Sequence, residues 1–367
     1  MGGAGRQKES REQPTVSMNP LLINNSDKHE HHKNQFLDYP NETTLFCSQF
    51  KDDQWYCSIL LVLFVFGLPV GVLGNIVAIL NYTCCRHSWT TGTVFLLNLA
   101  LCDITWLLFL PFTLYFSLHQ PHLPDINMFC QFKKVFFNIN VYGSILFLAL
   151  ISFDRYTGTV HPISSLRWWD GKKACLCSIF TWIILVLASI PDFFMTFAFT
   201  RPGNITVCMD HIHGPFSYVA TISVLRALLG FLLPLSIMGA IYARMVKVLK
   251  SMPGKKNIRG KRFAPRRTGK PLILITAAVL VFLVSYAPYH IMIVTLVFMR
   301  FIGKVTVKNV NTLYTAYEFL EAMCSISSCL DPLLYILASQ HFQQRWRKLK
   351  RSLCCRNNRR VGIQNPA

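Results

Sequence analysis

Three adjacent residues, Asp154, Arg155 and Tyr156, carry the most informative chemistry in the sequence. They follow an apolar run from Val135 to Ile151, which is near the ~20 residues that cross a bilayer. A carboxylate beside a guanidinium is costly inside lipid but is stable at the edge of a membrane helix, where both charges reach water and each other. We interpret the Asp154–Arg155 pair as a latch that holds the inner end of a helix bundle closed or releases Arg155 to another partner.

Two carboxylates, Asp103 and Asp331, lie deep in other apolar segments. Like charges in a medium of low dielectric constant cannot both stay ionised, so the pair needs either a counter-ion or a proton. Paired carboxylates are also typical of an intramembrane aspartyl protease, but the glycine-rich motifs of that class are missing. Side chains expected nearby are Asn75, Ser144, Ser327 and Ser328.

A second ionisable set lies at or near the outer half of the apolar segments: Lys133, Lys134, Arg226, His290 and Glu321. Such groups are costly unless paired or hydrated, so they indicate a cavity. Lys134 and Arg226 could clamp a carboxylate or phosphate; alternatively, Glu321 could pair with one of them as a structural lock. Lys133 is expected to extend to the headgroups. His290 fits either a hydrogen-bonded bundle residue or a ligand contact.

The elements that position these side chains are seven apolar segments. The 367-residue chain is 52% hydrophobic and 15% charged, against roughly 25% charged in a soluble domain. Lipid leaves the backbone no partners outside helices and closed barrels, and the alternation of a barrel is absent. We therefore predict an all-α membrane protein with segments near 57–82, 91–117, 127–153, 174–198, 216–248, 271–299 and 311–338.

The net charge is +20, and the basic residues lie mainly on one side of the seven-segment topology. This distribution argues against binding to a nucleic acid polymer. Basic residues concentrate in the loop 247–270, in the tail after segment 7 and in the turns after segments 1 and 3. The positive-inside rule makes that side cytoplasmic, with the N-terminus outside and the C-terminus inside. Glycosylation sequons at Asn24, Asn41 and Asn204 agree with this topology. The polar first 56 residues predict that segment 1 is an uncleaved anchor.

The cysteines and the termini complete the predicted organisation. Cys130 and Cys208 can pair in the oxidising outer compartment, whereas Cys57 either pairs with Cys47 or belongs to a helix. Residues 1–56 form a disordered tail and 57–339 the bundle. Residues 340–353 form an amphipathic helix on the inner leaflet, followed by a cytoplasmic tail, 354–367. Two adjacent cysteines suit palmitoylation: Cys354 and Cys355.

Each apolar segment carries a motif, and the set is specific. The motifs are Gly74-Asn75, Asn98 through Asp103, Asp154-Arg155-Tyr156, Trp182, Pro234 with Tyr242, Phe282 through Pro288, and Asp331 through Tyr335. Together and in this order, they make residues 57–355 resemble the rhodopsin-like G-protein-coupled receptors. Within this family, the chain most resembles the purinergic nucleotide receptors and the related succinate and 2-oxoglutarate receptors. Five stretches carry this narrower resemblance: Asn140 to Leu148, His161-Pro162, Ser165 to Trp168, Ser285 to Met292 and Ser328 to Pro332.

This resemblance implies a plasma-membrane receptor, not an enzyme, that passes the binding of a small anionic nucleotide or metabolite to heterotrimeric G proteins. It also implies a possible allosteric sodium ion, and no other cofactor, held by Asp103, Ser144, Ser327 and Asp331. Basic inner surfaces would face membrane lipids. The implied activation switch consists of Asp154, Arg155, Tyr156, Tyr242, Tyr286 and Tyr335.

The resemblance also places the ligand. Nucleotide receptors hold phosphates with cations from helices 3, 6 and 7; Lys134 matches the first, and His290 the first helix 6 position. Ile293 replaces a family cation, and Glu321 reverses the helix 7 charge. Arg226, two turns outward of Pro234, should face the same cavity. The expected contacts are Lys134, Tyr142, Arg226, His290 and Glu321.

The same residues leave room for other functions. A transporter predicts ionisable residues across the midplane and internal repeats, and the segments show neither. A peptide ligand would place a basic group at Glu321, and a lipid ligand would fit the same fold. Proton sensing would use outer histidines that titrate in the right range: His119, His122, His211 and His213.

Overall fold

The computed structural model describes residues 61, 63–83, 90–119, 126–196, 198–201, 205–208, 211, 214–251 and 269–338. Within them, seven helices are long and apolar enough to cross a membrane, so the predicted seven-helix bundle is confirmed. We label them α1, Leu68–Thr83; α2, Thr91–His119; α3, Ile126–Val160; α4, Gly171–Met195; α5, Phe216–Ser251; α6, Gly269–Phe301; and α7, Val307–Ala338.

The long α3 is the centre of the bundle. It packs against α2, α4, α5 and α6, while α7 packs against α6, α1 and α2. Large side chains such as Trp106, Phe137 and Tyr286 fill the interior. The faces turned away from the bundle are apolar and exposed, as at Phe180 and Leu229, which is the pattern of helices surrounded by lipid. Buried polar groups therefore lie inside an apolar shell.

Several helix ends differ from the predicted segments; α7, for example, begins at Val307 rather than near residue 311. α3 continues to Val160, beyond the predicted end near residue 153, because hydropathy falls at the charged inner turns while helical backbone bonding persists. α4 begins at Gly171, three residues early, where the Asp170 side chain accepts a hydrogen bond from the Lys173 amide at 3.0 Å. Such an N-cap satisfies a backbone donor that the first turn leaves without a partner. A short helix, Pro162–Trp168, joins α3 to α4.

α5 contains a π-helical turn, Arg226–Leu232, directly before Pro234. Proline cannot donate to the carbonyl four residues earlier, and its ring crowds that carbonyl. The wider π-turn relieves this conflict locally, and such turns are frequent at functional sites. A second π-helical turn, Leu63–Gly67, precedes α1.

A disulfide marks one end of the bundle. β1, Ala198–Arg201, pairs antiparallel with β2, Ile205–Cys208. Cys208 is bonded to Cys130 near the start of α3, which confirms the predicted pair. We call this end the outer end and the opposite end, at Asp154, the inner end.

Several predicted features lie outside the described residues, so they stay predictions. They are the sequons at Asn24, Asn41 and Asn204, the alternatives for Cys47 and Cys57, the helix 340–353, and the cysteines Cys354 and Cys355.

Candidate functional site

At the inner end, several side-chain donors surround the Asp154 carboxylate. It accepts hydrogen bonds from the indole of Trp169, at 3.0 Å, and from the hydroxyl of Thr91. The guanidinium of Arg155 lies 3.5 Å away. The pair predicted as a latch is therefore formed, and it is tied to the start of α2 and to the residue after the short helix. Thr91 and Trp169 were not predicted from the sequence, because their spacing from Asp154 follows no helical period.

Gly92 makes room for this arrangement. A Cβ built at position 92 would lie 2.0 Å from Nη2 of Arg155 and 2.7 Å from Oδ2 of Asp154. Any side chain here must displace the guanidinium from its resting position. Gly92 is therefore a part of the latch that only the three-dimensional approach of α2 to α3 reveals.

The inner tyrosines of the predicted switch occupy different environments. Tyr156 packs against a small cluster formed by Ile241, Met245 and Ile275, which joins α3, α5 and α6. Tyr335 is 1% exposed, whereas Tyr242 is 37% exposed. In this arrangement, Tyr335 already lies inside the bundle and Tyr242 lies at its periphery.

In the middle of the bundle, the Asp103 carboxylate is the centre of a polar network. It accepts hydrogen bonds from Ser144 at 3.3 Å, Tyr335 at 3.2 Å and Asn140 at 3.4 Å. The hydroxyl of Tyr335 also contacts Oδ1 of Asn75 at 2.8 Å. Helices α1, α2, α3 and α7 therefore meet at one carboxylate, as the sequence predicted for Asp103, Asn75 and Ser144.

Asp331 differs from Asp103. Both its carboxylate oxygens are buried, and no neutral side chain of the described residues donates to them; the neighbouring polar group is the carboxyl of Asp103. Oδ1 of Asn140 is likewise buried and has no hydrogen-bond donor among the described residues. Two carboxylates and nearby neutral oxygens form the hard ligand set that small cations prefer, so these residues fit a sodium ion. Asp103, Ser144 and Asp331 would hold it.

Ser327, the fourth predicted sodium ligand, has other contacts. Its hydroxyl donates to the carbonyl of Cys324 at 2.6 Å and lies 2.7 Å from the hydroxyl of Tyr286. Because the Ser327 proton is committed to Cys324, Tyr286 must donate to Ser327. The serine oxygen keeps one lone pair for a cation, and its other neighbour is Tyr286, a predicted switch residue.

In the outer half, Lys133 and Glu321 form an ion pair at 2.9 Å. The expectation that Lys133 extends to the headgroups is therefore wrong, because a carboxylate on α7 lies within its reach. A lock of the predicted kind exists, but the partner of Glu321 is Lys133, one residue before the predicted Lys134. Lys134 is 7% exposed, and its ammonium lies 3.5 Å from the hydroxyl of Tyr317.

Arg226 forms the other outer ion pair, with Asp192 on α4. Asp192 was not predicted from the sequence as a site residue. Its position beside Pro191, near the outer end of an apolar segment, was the available signal. Glu321 and Arg226 thus belong to separate pairs rather than to a common lock.

His290 lies below this pair in an aromatic setting. Its Nδ1 lies 2.8 Å from the carbonyl of Tyr286, and its ring stacks on Phe231 with centroids 4.4 Å apart. The edge of Tyr142 approaches the same ring, at 5.8 Å. Because Nδ1 faces a carbonyl, it must carry the proton, so Nε2 is a buried acceptor. Nε2 meets no partner among the described residues.

Of the histidines considered for proton sensing, the structure describes the side chain of His211 and not those of His119, His122 and His213. His211 is buried and its ring lies 5.3 Å from that of Tyr317. The guanidinium of Arg300 donates to the His211 carbonyl at 3.3 Å. This histidine therefore packs over the same outer region as Lys134.

Comparison with known proteins decides the family. Residues 74–335 match the model of the seven-transmembrane receptors of the rhodopsin family. The chain belongs to this family. The receptor is 30% identical to the mouse purinoceptor 1 over 283 residues, which is 75% of this chain and 73% of the mouse protein. The human purinoceptor 1 is 30% identical over 285 residues, with the same coverage. The purinoceptor 4 of Xenopus laevis is 28% identical over 306 residues, covering 83% of this chain and 55% of that protein.

Membership settles the broad predictions. The family consists of receptors and not enzymes, and with seven apolar helices the receptor is a multi-pass plasma-membrane protein. Its family and its purinoceptor relatives support G-protein-coupled signalling in response to an extracellular ligand.

Proposed function

We propose that the receptor binds a small anionic ligand, a nucleotide or metabolite, in the outer half of the bundle and activates heterotrimeric G proteins. The observation that carries this proposal is the buried Lys134 ammonium beside Tyr317. A buried ammonium is costly and marks a functional site by default in a membrane segment. The relatives are purinoceptors by name, which agrees with an anionic ligand.

The proposed cavity has contacts of two kinds. Lys134 supplies a positive charge, and Nε2 of His290 supplies an acceptor for a donor group of the ligand. Tyr142, Arg226 and Glu321 form the surrounding wall. Ile293, buried at 6% exposure, contributes no charge, so we propose that the anion is held chiefly from the side of α3.

The orientation of the chain is part of the proposal. The outer end carries the disulfide and the hairpin, and disulfides form in oxidising compartments. The inner end carries Arg167, Lys172 and Lys173 beside the latch, which agrees with the excess of basic residues in cytoplasmic loops. The N-terminus is therefore extracellular and the C-terminus cytoplasmic.

Signalling is proposed to be a population shift. A ligand can move the equilibrium between resting and active bundles only by binding one of them better. The resting bundle holds Arg155 against Asp154 and above Gly92. In the active bundle, Arg155 is released, and Tyr242, Tyr286 and Tyr335 change partners. A sodium ion at Asp103 and Asp331, when bound, supplies the counter-charge that stabilises the resting arrangement.

The inner end also offers a surface for the G protein. The short helix Pro162–Trp168 exposes Ile163 and Leu166, each 86% exposed, and the residue that follows it, Trp169, donates to the latch residue Asp154. Two exposed large apolar side chains next to a switch fit an interaction surface. We propose that they contact the G protein rather than lipid.

A ligand panel on transfected cells tests the proposal, with G-protein dissociation as the measurement. The panel contains nucleotides, mono- and dicarboxylates, lipids, peptides and a pH series. We expect an anion to activate the wild-type receptor, and Lys134→Ala to raise its half-maximal concentration about 10-fold or more, since a charge-assisted contact is lost. Lys304→Ala, which removes an exposed lysine at the outer end, is the matched control.

Other responses would count against this ligand class. Activation by a peptide, a lipid or protons alone would replace it with one of those ligands. Ion flux without G-protein dissociation would indicate a transporter and reject signalling altogether.

A further inference from the structure

Asp192 is a buried charge in the outer half that has partners on two other helices. Its side chain on α4 is 1% exposed. Oδ2 accepts a hydrogen bond from Nδ2 of Asn138 on α3 at 2.7 Å. Both terminal nitrogens of Arg226 on α5 donate to the same carboxylate, with Nη1 at 3.0 Å from Oδ1. Three helices are thus joined at one buried side chain.

Arg226 has further contacts beyond this carboxylate. Its Nη2 donates to the carbonyl of Ala188 at 3.1 Å. The guanidinium carbon lies 5.7 Å from the centroid of the Tyr142 ring, within the range of a cation–π contact. The guanidinium is thus held from the α4 side and rests on an aromatic ring of α3.

Tyr142 is confined on its other sides as well. Gly230, within the π-turn that begins at Arg226, lies so close that a Cβ there would be 2.7 Å from a Tyr142 ring carbon. The Tyr142 ring meets the His290 ring edge-on at 5.8 Å. Tyr142 is therefore confined between the Arg226 guanidinium, the π-turn and the His290 ring.

We propose that Asp192 is a positioning residue of the receptor. It holds Arg226 on the Tyr142 ring and thereby fixes the wall that Tyr142 and His290 form. Arg226 then acts through Tyr142 and is not the anchor of the ligand's anion. That this wall borders a ligand site rests on the proposed function; the coupling of Asp192 to Tyr142 does not.

The first test measures coupling in the purified, ligand-free receptor. Removing one member of a buried ion pair leaves the other charge uncompensated, whereas removing both is often nearly neutral. Asp192→Asn and Arg226→Gln should each lower Tm by roughly 5–15 °C. The double variant should recover most of that loss. Asn98→Ala, which removes a 2.9 Å hydrogen bond from Trp182 on α4, is the control that Arg226→Gln should not rescue.

The second test separates positioning from mere stability. Tyr142 is replaced by 3-fluorotyrosine, and its fluorine resonance is recorded. Asp192→Asn should move this resonance to the position seen in Arg226→Gln, because both changes take the guanidinium off the ring. Asn98→Ala should leave it at the wild-type position. If Asp192→Asn does not fold, Asp192→Glu takes its place, since the longer side chain shifts the guanidinium while keeping the charge.

Two results would overturn the proposal. One is a double variant whose loss of Tm equals the sum of the two single losses. The other is a Tyr142 resonance that stays in place when Asp192 changes. Neither test uses a ligand or a G protein. If no anion activated the receptor, the proposed function would be rejected, but the results of these two tests on Asp192 and Tyr142 would still hold.

Discussion

The outer and inner halves of this bundle handle their buried charges in opposite ways. In the outer half, opposite charges from different helices pair directly: Lys133 with Glu321 and Arg226 with Asp192. Toward the middle, two like charges, Asp103 and Asp331, lie together, and no neutral side chain of the described residues donates to Asp331. At the inner end, the latch joins adjacent residues of one helix, Asp154 and Arg155.

The difference separates stability from switching. An ion pair between helices resists their separation, and breaking it leaves an uncompensated charge. A latch within one helix can open without moving that helix away from its neighbours. Like-charged carboxylates change their repulsion whenever a cation or proton arrives. Outer substitutions should therefore lower the stability of the receptor, and inner ones should change its activity.

The largest effect is expected from Glu321→Gln in the outer half. Lys133 would lose its partner while remaining only 19% exposed. We expect the free energy of unfolding to fall by about 2–3 kcal/mol. Thermal unfolding would show this loss as a lower Tm. The double variant Lys133→Met with Glu321→Gln should recover most of it. Basal signalling should change little; a strong rise would show that this pair belongs to the switch.

Gly92→Ala adds a single methyl group beside the Asp154–Arg155 latch and tests whether the latch restrains signalling. The atoms that its Cβ would meet are the ends of two side chains, the guanidinium of Arg155 and Oδ2 of Asp154, so the Arg155 guanidinium can move aside without unfolding the helix. We expect crowding to disfavour the resting state by about 1–2 kcal/mol and to raise ligand-free signalling several-fold, with little change in Tm.

Gly158→Ala is the matched control for this substitution. It also adds one methyl group near the inner end, on α3, but a Cβ there meets no described atom within 4 Å. Equal basal activities in the two alanine variants would exclude displacement of Arg155 as the cause.

The seven helices could be predicted from sequence because lipid imposes a strong constraint. Every span needs about 20 apolar residues and internal backbone bonding, so hydropathy alone locates all seven spans, although α3 continues to Val160, beyond its predicted end near residue 153. The Asp103 network was predictable for a related reason. A polar side chain inside an apolar segment must meet another, and Asn75 and Ser144 were among the few available; the contacts of Tyr335 and Asn140 with Asp103 were not predicted.

The pairing of the outer charges could not be predicted in the same way. Lys133 and Lys134 are adjacent, so they point about 100° apart on a helix, and only the rotation of α3 decides which faces Glu321. Asp192 gave no hydropathy signal beyond one charge near a helix end. Gly92 and Trp169 act through the approach of elements distant in sequence from Asp154, which no local pattern encodes.

The carboxylate pair in the middle predicts sensitivity to sodium. With the counter-ion proposed for Asp103 and Asp331, Tm should be higher in sodium chloride than in an equal concentration of choline chloride, because ion binding adds about 1 kcal/mol to the free energy of unfolding. Asp331→Asn should remove this difference, because it removes one charge that the cation balances. A sodium effect that survives in Asp331→Asn would place the ion elsewhere, and no effect in the wild type would reject the ion.

The smallest effect is expected at the edge of the latch, for Trp169→Phe. The substitution removes the indole donor 3.0 Å from Asp154 but keeps a ring against Phe153 and Phe95. A hydrogen bond to a charged group is worth about 1.5–3 kcal/mol, and the donors that remain offset most of that loss. Thr91 and Arg155 stay in contact with the carboxylate. Ligand-free signalling should thus rise about two- to threefold, less than for Asp154→Asn. A larger rise in Trp169→Phe than in Asp154→Asn would mean that the tryptophan restrains the receptor through its ring rather than through Asp154.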